Sequence, residues 1–213
     1  MKQYNPNKHH RRSIRLVGYD YSQAGLYFVT LVCQDRAQLF GDIKDGIMYL
    51  NEFGQIAAGE WLHTQEVRNN VVLHEFVVMP NHIHGIIEIL YPKESSNIVG
   101  AFKSPSQTIG AIIRGYKIAT IKRIKELGKR TKDSKGEYSK GEDSKGESKG
   151  ESKGELQFAP TAPTRGIIKS LDYKIWQRNY YEHIIRDEKA YINISNYIIE
   201  NPLNWEEDQL NTP

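Results

Sequence analysis

Two strand-like runs with only two residues between them constrain this chain more than any other feature. Val72 to Met79 (VLHEFVVM) and His82 to Leu90 (HIHGIIEIL) are rich in apolar and β-branched side chains, and Pro80-Asn81 joins them with turn chemistry. So short a connection makes the two strands antiparallel neighbours, because a parallel return needs a long crossover. The other elements must then pack around an antiparallel sheet. Leu26 to Gln34 reads as an earlier strand, and Lys44-Asp45-Gly46 as a turn before a short strand, Ile47 to Leu50. Asn51 can cap a helix reaching about Arg68, with Phe53, Ile56, Ala57, Glu60 and Trp61 at helical spacing. A second helix spans Ser106 to Leu127, with Ile109, Ile112, Ile113, Tyr116, Ala119, Thr120 and Ile124 on one face. Its opposite face carries Arg114, Lys117, Lys122, Arg123 and Lys125. Lys174 to Ile185 reads as one further strand, and a last helix runs from an Asp187 cap to about Glu200, stopped by Asn201-Pro202. This order predicts an α+β fold of the ferredoxin-like kind, an antiparallel sheet with packed helices.

Between the second helix and the last strand lies sequence of another kind. Ser134 to Glu155 repeats SKGE five times with almost no apolar side chains, so it has too little to bury to offset chain entropy. Residues 131–163 are expected to form a disordered insertion, and residues 1–18 a basic arm (KHHRRSIR within it), on a single domain spanning 1–213. Its lysines and glutamates balance, so the tract does not read as a nucleic-acid tail. Cys33 is the only cysteine, which excludes an internal disulfide and any cysteine-built zinc site. The net charge of +3 is compatible with a polyanion partner without demanding one. No stretch approaches the roughly 20 apolar residues of a membrane span, and the basic N-terminus is not followed by a signal-like apolar run, so a cytoplasmic location is expected.

The sharpest local signal is MPNHIHG, Met79 to Gly85. In a strand, His82 and His84 project from one face about 7 Å apart, while Ile83, Gly85, Ile87 and Ile89 supply the other. Two imidazoles so placed can converge on one divalent ion; packed or solvated histidines are the plain alternative. Zinc hydrolases, oxygenases and nucleases all use such pairs, and the third ligand decides among them.

On the last helix, Tyr191, Ile192, Ile194, Ile198 and Ile199 cluster as the expected buried stripe. Tyr197 and Asn201, four residues apart, stack on its flank. A phenolate is a good nucleophile toward phosphorus, and its aryl phosphoester stays activated enough for a DNA hydroxyl to reverse the step. A metal held by two imidazoles and an amide oxygen keeps positions open for a phosphate. The alternative is that Tyr197 packs and Asn201 ends the helix before Pro202.

Three ordered blocks together carry a resemblance. MPNHIHG, then IWQRNYYEHIIRDEKAY and NYIIENP, resemble the REP-associated tyrosine transposases, relatives of the single-tyrosine insertion-sequence transposases. The run RRSIRLVGYDYSQAGLYFVTLVCQDRAQLFG is similar to that family's opening. The resemblance implies a ferredoxin-like HUH domain, with the HUH histidines at His82 and His84, the nucleophile at Tyr197 and the third ligand at Asn201. It further implies Mg²⁺ or Mn²⁺, a 5′-phosphotyrosine intermediate with a free 3′-OH, and single-stranded DNA with hairpins of the repetitive extragenic palindrome type. It places the protein at the bacterial nucleoid, as a monomer or a homodimer. The SKGE insertion is the chief departure from the family pattern.

Tyr191 reads as core. One of Tyr180 and Tyr181 must point inward, leaving the other able to stack on an unpaired base. His183 reads as structural or as a phosphate contact, and His9, His10, His63 and His74 have no partner pattern. Arg11, Arg12, Arg15, Arg114, Lys117 and Arg178 are candidate DNA contacts, with a solvated charged face as the alternative. Two functional alternatives stand beside the transposase. One is an inactive or domesticated hairpin-binding protein, and the other a zinc hydrolase drawing on Glu88, which lies four residues beyond His84.

Overall fold

The computed structural model describes residues 19–21, 23–91, 108–133 and 162–211. Arg11, Arg12, Arg15 and the SKGE tract lie outside the described residues. The elements are β1 (Gly25–Val32), β2 (Gly41–Lys44), β3 (Ile47–Leu50), α1 (Glu52–Glu66), β4 (Val71–Val78) and β5 (His82–Ile89), followed by α2 (Ile109–Asp133), α3 (Ala162–Ser170), β6 (Tyr181–Ile185) and α4 (Glu188–Glu200). Four strands form an antiparallel sheet in the order β4-β5-β1-β6. Two crossovers, β1-α1-β4 and β5-α2-β6, interlock so that each skips one strand. This is the ferredoxin-like α+β arrangement expected from the order of elements.

Local chemistry explains most boundaries. The Asn51 side chain accepts hydrogen bonds from the backbone N–H groups of Phe53 and Gly54, satisfying two donors that the first turn of α1 leaves open. Asp187 caps α4 in the same way through Ala190 N–H. The β2–β3 hairpin turns at Asp45 and Gly46, both at positive φ (52° and 72°), the paired left-handed geometry of a two-residue hairpin turn.

The sheet separates two cores. On one face Ile83, Ile87 and Ile89 of β5 pack with Trp61 of α1 and with Ile112 and Tyr116 of α2. Gly85 is required there, since a Cβ would come within 2.4 Å of the Trp61 ring. On the other face Ile86, Phe28 and Ile185 form a smaller core under Ile198 of α4. Burying Ile198 fully contributes roughly 2 kcal/mol toward holding that helix.

Four expectations need correction. The strand expected over Lys174 to Ile185 begins only at Tyr181; Ile175 and Trp176 are core residues, and Trp176 makes a single bridge to Cys33. Helix α3 and strand β2 were not anticipated: α3 reaches the core mainly through Ile168, and β2 is four residues long. Helices α2 and α3 also extend to Asp133 and from Ala162, a few residues into the 131–163 segment on each side. The buried stripe of α4 runs Tyr191, Ile194, Ser195 and Ile198, while Ile192 and Ile199 are exposed. At 100° per residue those two lie one step off the stripe, on the flank away from the sheet.

Candidate active site

The site lies on the α4 face of the sheet, where β5, β1, α4 and the segment after α4 converge. His82 and His84 project from β5 to this face with ring centroids 4.5 Å apart. Both are buried. Burial pushes the His82 imidazole down to about 4 against the opposing pull of Asp208, and burial, then His82, pushes His84 well down. Both rings are therefore neutral at pH 7 and can offer lone pairs.

Hydrogen bonds fix which nitrogen of His82 offers one. The Asn81 amide donates through Nδ2 to the carbonyls of Arg36 (3.2 Å) and Leu210 (2.7 Å), which leaves Oδ1 as an acceptor. His82 Nδ1 lies 2.7 Å from that oxygen, so it carries the proton and Nε2 is bare. His82 Nε2 is buried without a hydrogen-bond partner, and so are Asn201 Oδ1 and Asp208 Oδ2. The Asn201 amide lies beside both His82 and Tyr197. Asp208 Oδ2 is 3.8 Å from His82 Nε2, and the ligand atoms of His82, His84 and Asp208 all fall within 4.8 Å of one another. Three unpartnered buried acceptors from separate segments are costly unless something electropositive lies between them. Two imidazole nitrogens, an amide oxygen and a carboxylate oxygen suit a divalent ion of intermediate to hard character such as Mn²⁺ or Mg²⁺.

His84 is set by its partners on either side. Its Nδ1 is 2.8 Å from Thr30 Oγ1, the residue opposite it in the sheet register, and its Nε2 is 3.2 Å from the Tyr197 hydroxyl. Tyr197 is half exposed, so its hydroxyl reaches into the site while part of the ring faces outward. Burial, then Asp208, raises its pKa, whereas Asn201 opposes the rise. Asn201 is both the C-terminal cap of α4 and a buried amide facing the site, so the two readings of this residue coincide.

Helix α4 is fastened to the sheet by a polar cluster. The sheet register jumps from Leu73↔Ile87 to Phe76↔Gly85, a bulge that sets His74 and Glu75 together opposite Ile86. Tyr191 donates to Glu75 (3.0 Å), Ser195 donates to the same oxygen (3.1 Å), and His74 lies 3.1 Å from the Tyr191 hydroxyl and 3.0 Å from Glu88. His74, for which the sequence offers no partner, thus belongs to this clamp. Glu88 is engaged there too.

The sequence missed Asp208. It sits past α4 in a segment without periodicity, held down by Asn81 on Leu210 and by Arg36 Nη1 donating to Gln209 O (3.1 Å), with Trp205 buried 6.0 Å from the His82 ring. A tryptophan in an otherwise polar tail was the one signal that the tail docks. The other candidates are more scattered. Arg114 is exposed on α2, in the layer on the opposite face from the histidines. Lys117, expected on a charged face, is half-buried; its ammonium donates to the carbonyls of Gln177 (2.8 Å) and Asn179 (3.1 Å), and burial lowers it to about 8. Arg178 is exposed, three residues before β6.

An antiparallel ferredoxin-like sheet carrying paired neutral histidines, an amide, a carboxylate and a tyrosine on one face defines a candidate metal-and-tyrosine site. The chain is 36% identical over 215 residues to an uncharacterized protein of Haemophilus influenzae, an alignment covering 97% of this chain and 96% of that one, and it belongs to the same family as that protein. No family model matches the chain. Among solved structures it is similar to a REP-associated tyrosine transposase bound to a REP hairpin, at a TM-score of 0.47 and 16% identity over 90% of this chain and 74% of that one. It is also similar to a candidate transposase from Deinococcus radiodurans, at 0.37 and 15% over 89% of this chain and 98% of that one. Among the described residues, no helix is long and apolar enough to cross a membrane.

Proposed function

We propose that the protein is a metal-dependent tyrosine transposase of the HUH type, which cleaves and rejoins hairpin-bearing single-stranded DNA through a 5′-phosphotyrosine intermediate. The observation that carries this reading is the convergence of the ligand atoms of His82, His84 and Asp208 within 4.8 Å, with the Asn201 amide beside His82 and a half-exposed Tyr197 hydroxyl beside His84. The residue pattern MPNHIHG with NYIIENP supports it from the sequence side.

His82, His84 and Asn201 would hold the ion, with Asp208 as a further ligand. A divalent cation there supplies Lewis acidity to the scissile phosphate. Tyr197 Oη attacks phosphorus, forming the aryl phosphoester as the P–O3′ bond breaks. The phenolic proton leaves Tyr197, and the departing 3′ oxygen ends protonated as a free 3′-OH. The Tyr197 hydroxyl, 3.2 Å from His84 Nε2, lies beside the lone pair that would hold the ion, which puts the nucleophile next to the polarised phosphate. Thr30 in turn holds the His84 ring, and the α4 clamp holds the helix that bears Tyr197. Rejoining reverses these bonds, with a DNA 3′-OH attacking the phosphotyrosine. The protein works as a monomer or a homodimer. The DNA partner is of the repetitive extragenic palindrome type, and the protein works in the bacterial cytoplasm at the nucleoid.

The test is a panel of hairpin oligonucleotides with single-stranded flanks, incubated with protein and Mn²⁺ and run on denaturing gels. An SDS-resistant protein–DNA adduct is expected from the wild type and none from Tyr197→Phe. An adduct that survives Tyr197→Phe would reassign the nucleophile. Hairpin binding without cleavage under any divalent metal would reduce the protein to a binding role.

A further inference from the structure

Helix α4 does not cover the whole site face of the sheet. It is clamped to β4 and packs Ile198 over Ile86 and Ile185, which shields the far end of β6. The near end stays open. There the register sets Tyr181 opposite Thr30 and His183 opposite Phe28, so both β6 side chains share the face that carries His84. Thr30 is the residue that holds the His84 ring, which puts Tyr181 in the same cross-strand row as a candidate metal ligand, with only β1 between them. Tyr181 and His183 are exposed, and Tyr181 shows 48% of its surface, as much as Tyr197 does. β6 pairs only with β1 and ends the sheet among the described residues.

The rings form a run. Phe28, itself buried, stacks on His84 at 5.4 Å and meets Tyr197 and Tyr181 edge-on, each at 6.2 Å between centroids. Phe28 thus touches both Tyr181 and the tyrosine that bears the attacking hydroxyl, and nearly half of the Tyr181 surface is open. Tyr181 is an exposed aromatic on a sheet edge. Next to a site that handles a single-stranded backbone it has a direct use, because every nucleobase has a π-face that stacks regardless of its identity.

We propose that Tyr181 is the stacking platform for the unpaired nucleobase adjoining the scissile phosphate, held in place by Phe28 and flanked by His183. The ligand class is a single-stranded nucleotide without base preference at this position, and the inference rests on the transposase reading above. The aromatic face does the work, so Tyr181→Phe and Tyr181→Trp retain the platform and Tyr181→Ala loses it. The side chain is surface-exposed, so all three variants fold.

The experiment uses the full chain carrying Tyr197→Phe, which binds without cutting. Hairpin oligonucleotides carry 2-aminopurine at each unpaired position in turn, with Mn²⁺ present. Quenching at one flanking position is expected when Tyr181 is intact, and to the same extent in Tyr181→Phe. It is expected to vanish in Tyr181→Ala. In the protein that keeps Tyr197, Tyr181→Ala should raise the oligonucleotide concentration for half-maximal adduct formation roughly 10-fold or more, the loss typical of one stacked base. Affinity for a hairpin lacking the unpaired flank should stay unchanged. Undiminished quenching in Tyr181→Ala, with adduct still formed by the wild type, overturns the platform alone. A wild type that forms no adduct with any hairpin overturns the transposase reading and the platform with it.

Discussion

Wholly buried and pushed down to about 4 by its burial, the His82 imidazole stays neutral in the folded protein while the unfolded chain takes up a proton near 6.5. Between those values the unfolded state binds more protons, so stability rises with pH across that window. The contribution is fully present above about pH 6.5 and is lost as pH falls to about 4. Its size is on the order of 3 kcal/mol at most. Urea unfolding of metal-free protein at pH 7 and pH 4.5 should show that loss, and a His82→Gln variant should flatten it; equal slopes in both proteins would show that His82 is not the group responsible. Asp208 makes a second prediction at this scale. Asp208→Asn preserves shape and removes the charge, so Mn²⁺ binding measured by calorimetry should weaken at least roughly tenfold. An unchanged affinity would remove Asp208 from the ligand set. The histidines and Asn201 were legible because strand alternation and helical spacing place them on defined faces. Asp208 was not, since the tail that carries it is held to the site by hydrogen bonds on Leu210 and Gln209 spanning 129 and 173 residues, and no local pattern encodes those.

Helix α4 presents Tyr197, and its orientation depends on a bulge in β4 that lets two consecutive residues, His74 and Glu75, reach it. Regular alternation would have sent one of them to the opposite face. Glu75→Ala removes the acceptor shared by Tyr191 and Ser195, and the cost in stability should be about 1 to 3 kcal/mol. The more telling effect is kinetic. On the proposed mechanism, the single-turnover rate of adduct formation should drop several-fold with hairpin affinity unchanged, because a loosened helix would hold the Tyr197 hydroxyl in line with phosphorus less of the time. A loss of hairpin affinity equal to the loss of rate would instead mean that Glu75 serves binding. Tyr191→Phe should reproduce a milder form of the same split. Long, strongly patterned elements such as α1, β4, β5 and α4 were readable, caps included. The bulge was not, because VLHEFVV reads as unbroken strand. Strand β6 was overestimated because Ile175, Trp176, Tyr180 and Tyr181 have strand composition while tertiary contacts bury the first two in loop geometry.

The site is assembled from three distant parts of the molecule: the β4–β5 hairpin, the last helix and the tail that follows it. We propose that the chain outside the SKGE tract unfolds as one unit and that the tract, which supplies none of the candidate ligands and has little apolar surface to bury, is dispensable. Replacing residues 136–158 with a short Gly-Ser linker should shift the thermal midpoint only slightly, since loop entropy changes with the logarithm of length. The same assembly predicts that a bound cation stabilises the whole fold. In the metal-free protein, the unpartnered acceptors His82 Nε2, Asn201 Oδ1 and Asp208 Oδ2 weaken the contact between sheet, helix and tail. The unfolded chain has no such arrangement to offer an ion, so at one hundred times its dissociation constant Mn²⁺ should add about 2.7 kcal/mol. For a chain of this size that raises the melting midpoint by roughly 5 to 10 °C. His84→Ala should abolish the shift, and a chain ending at Asn204 should reduce it in proportion to its weakened Mn²⁺ affinity. If the truncated chain kept both the full shift and the full affinity, the tail would be a bystander, and the cation would be held by the two histidines and Asn201 alone.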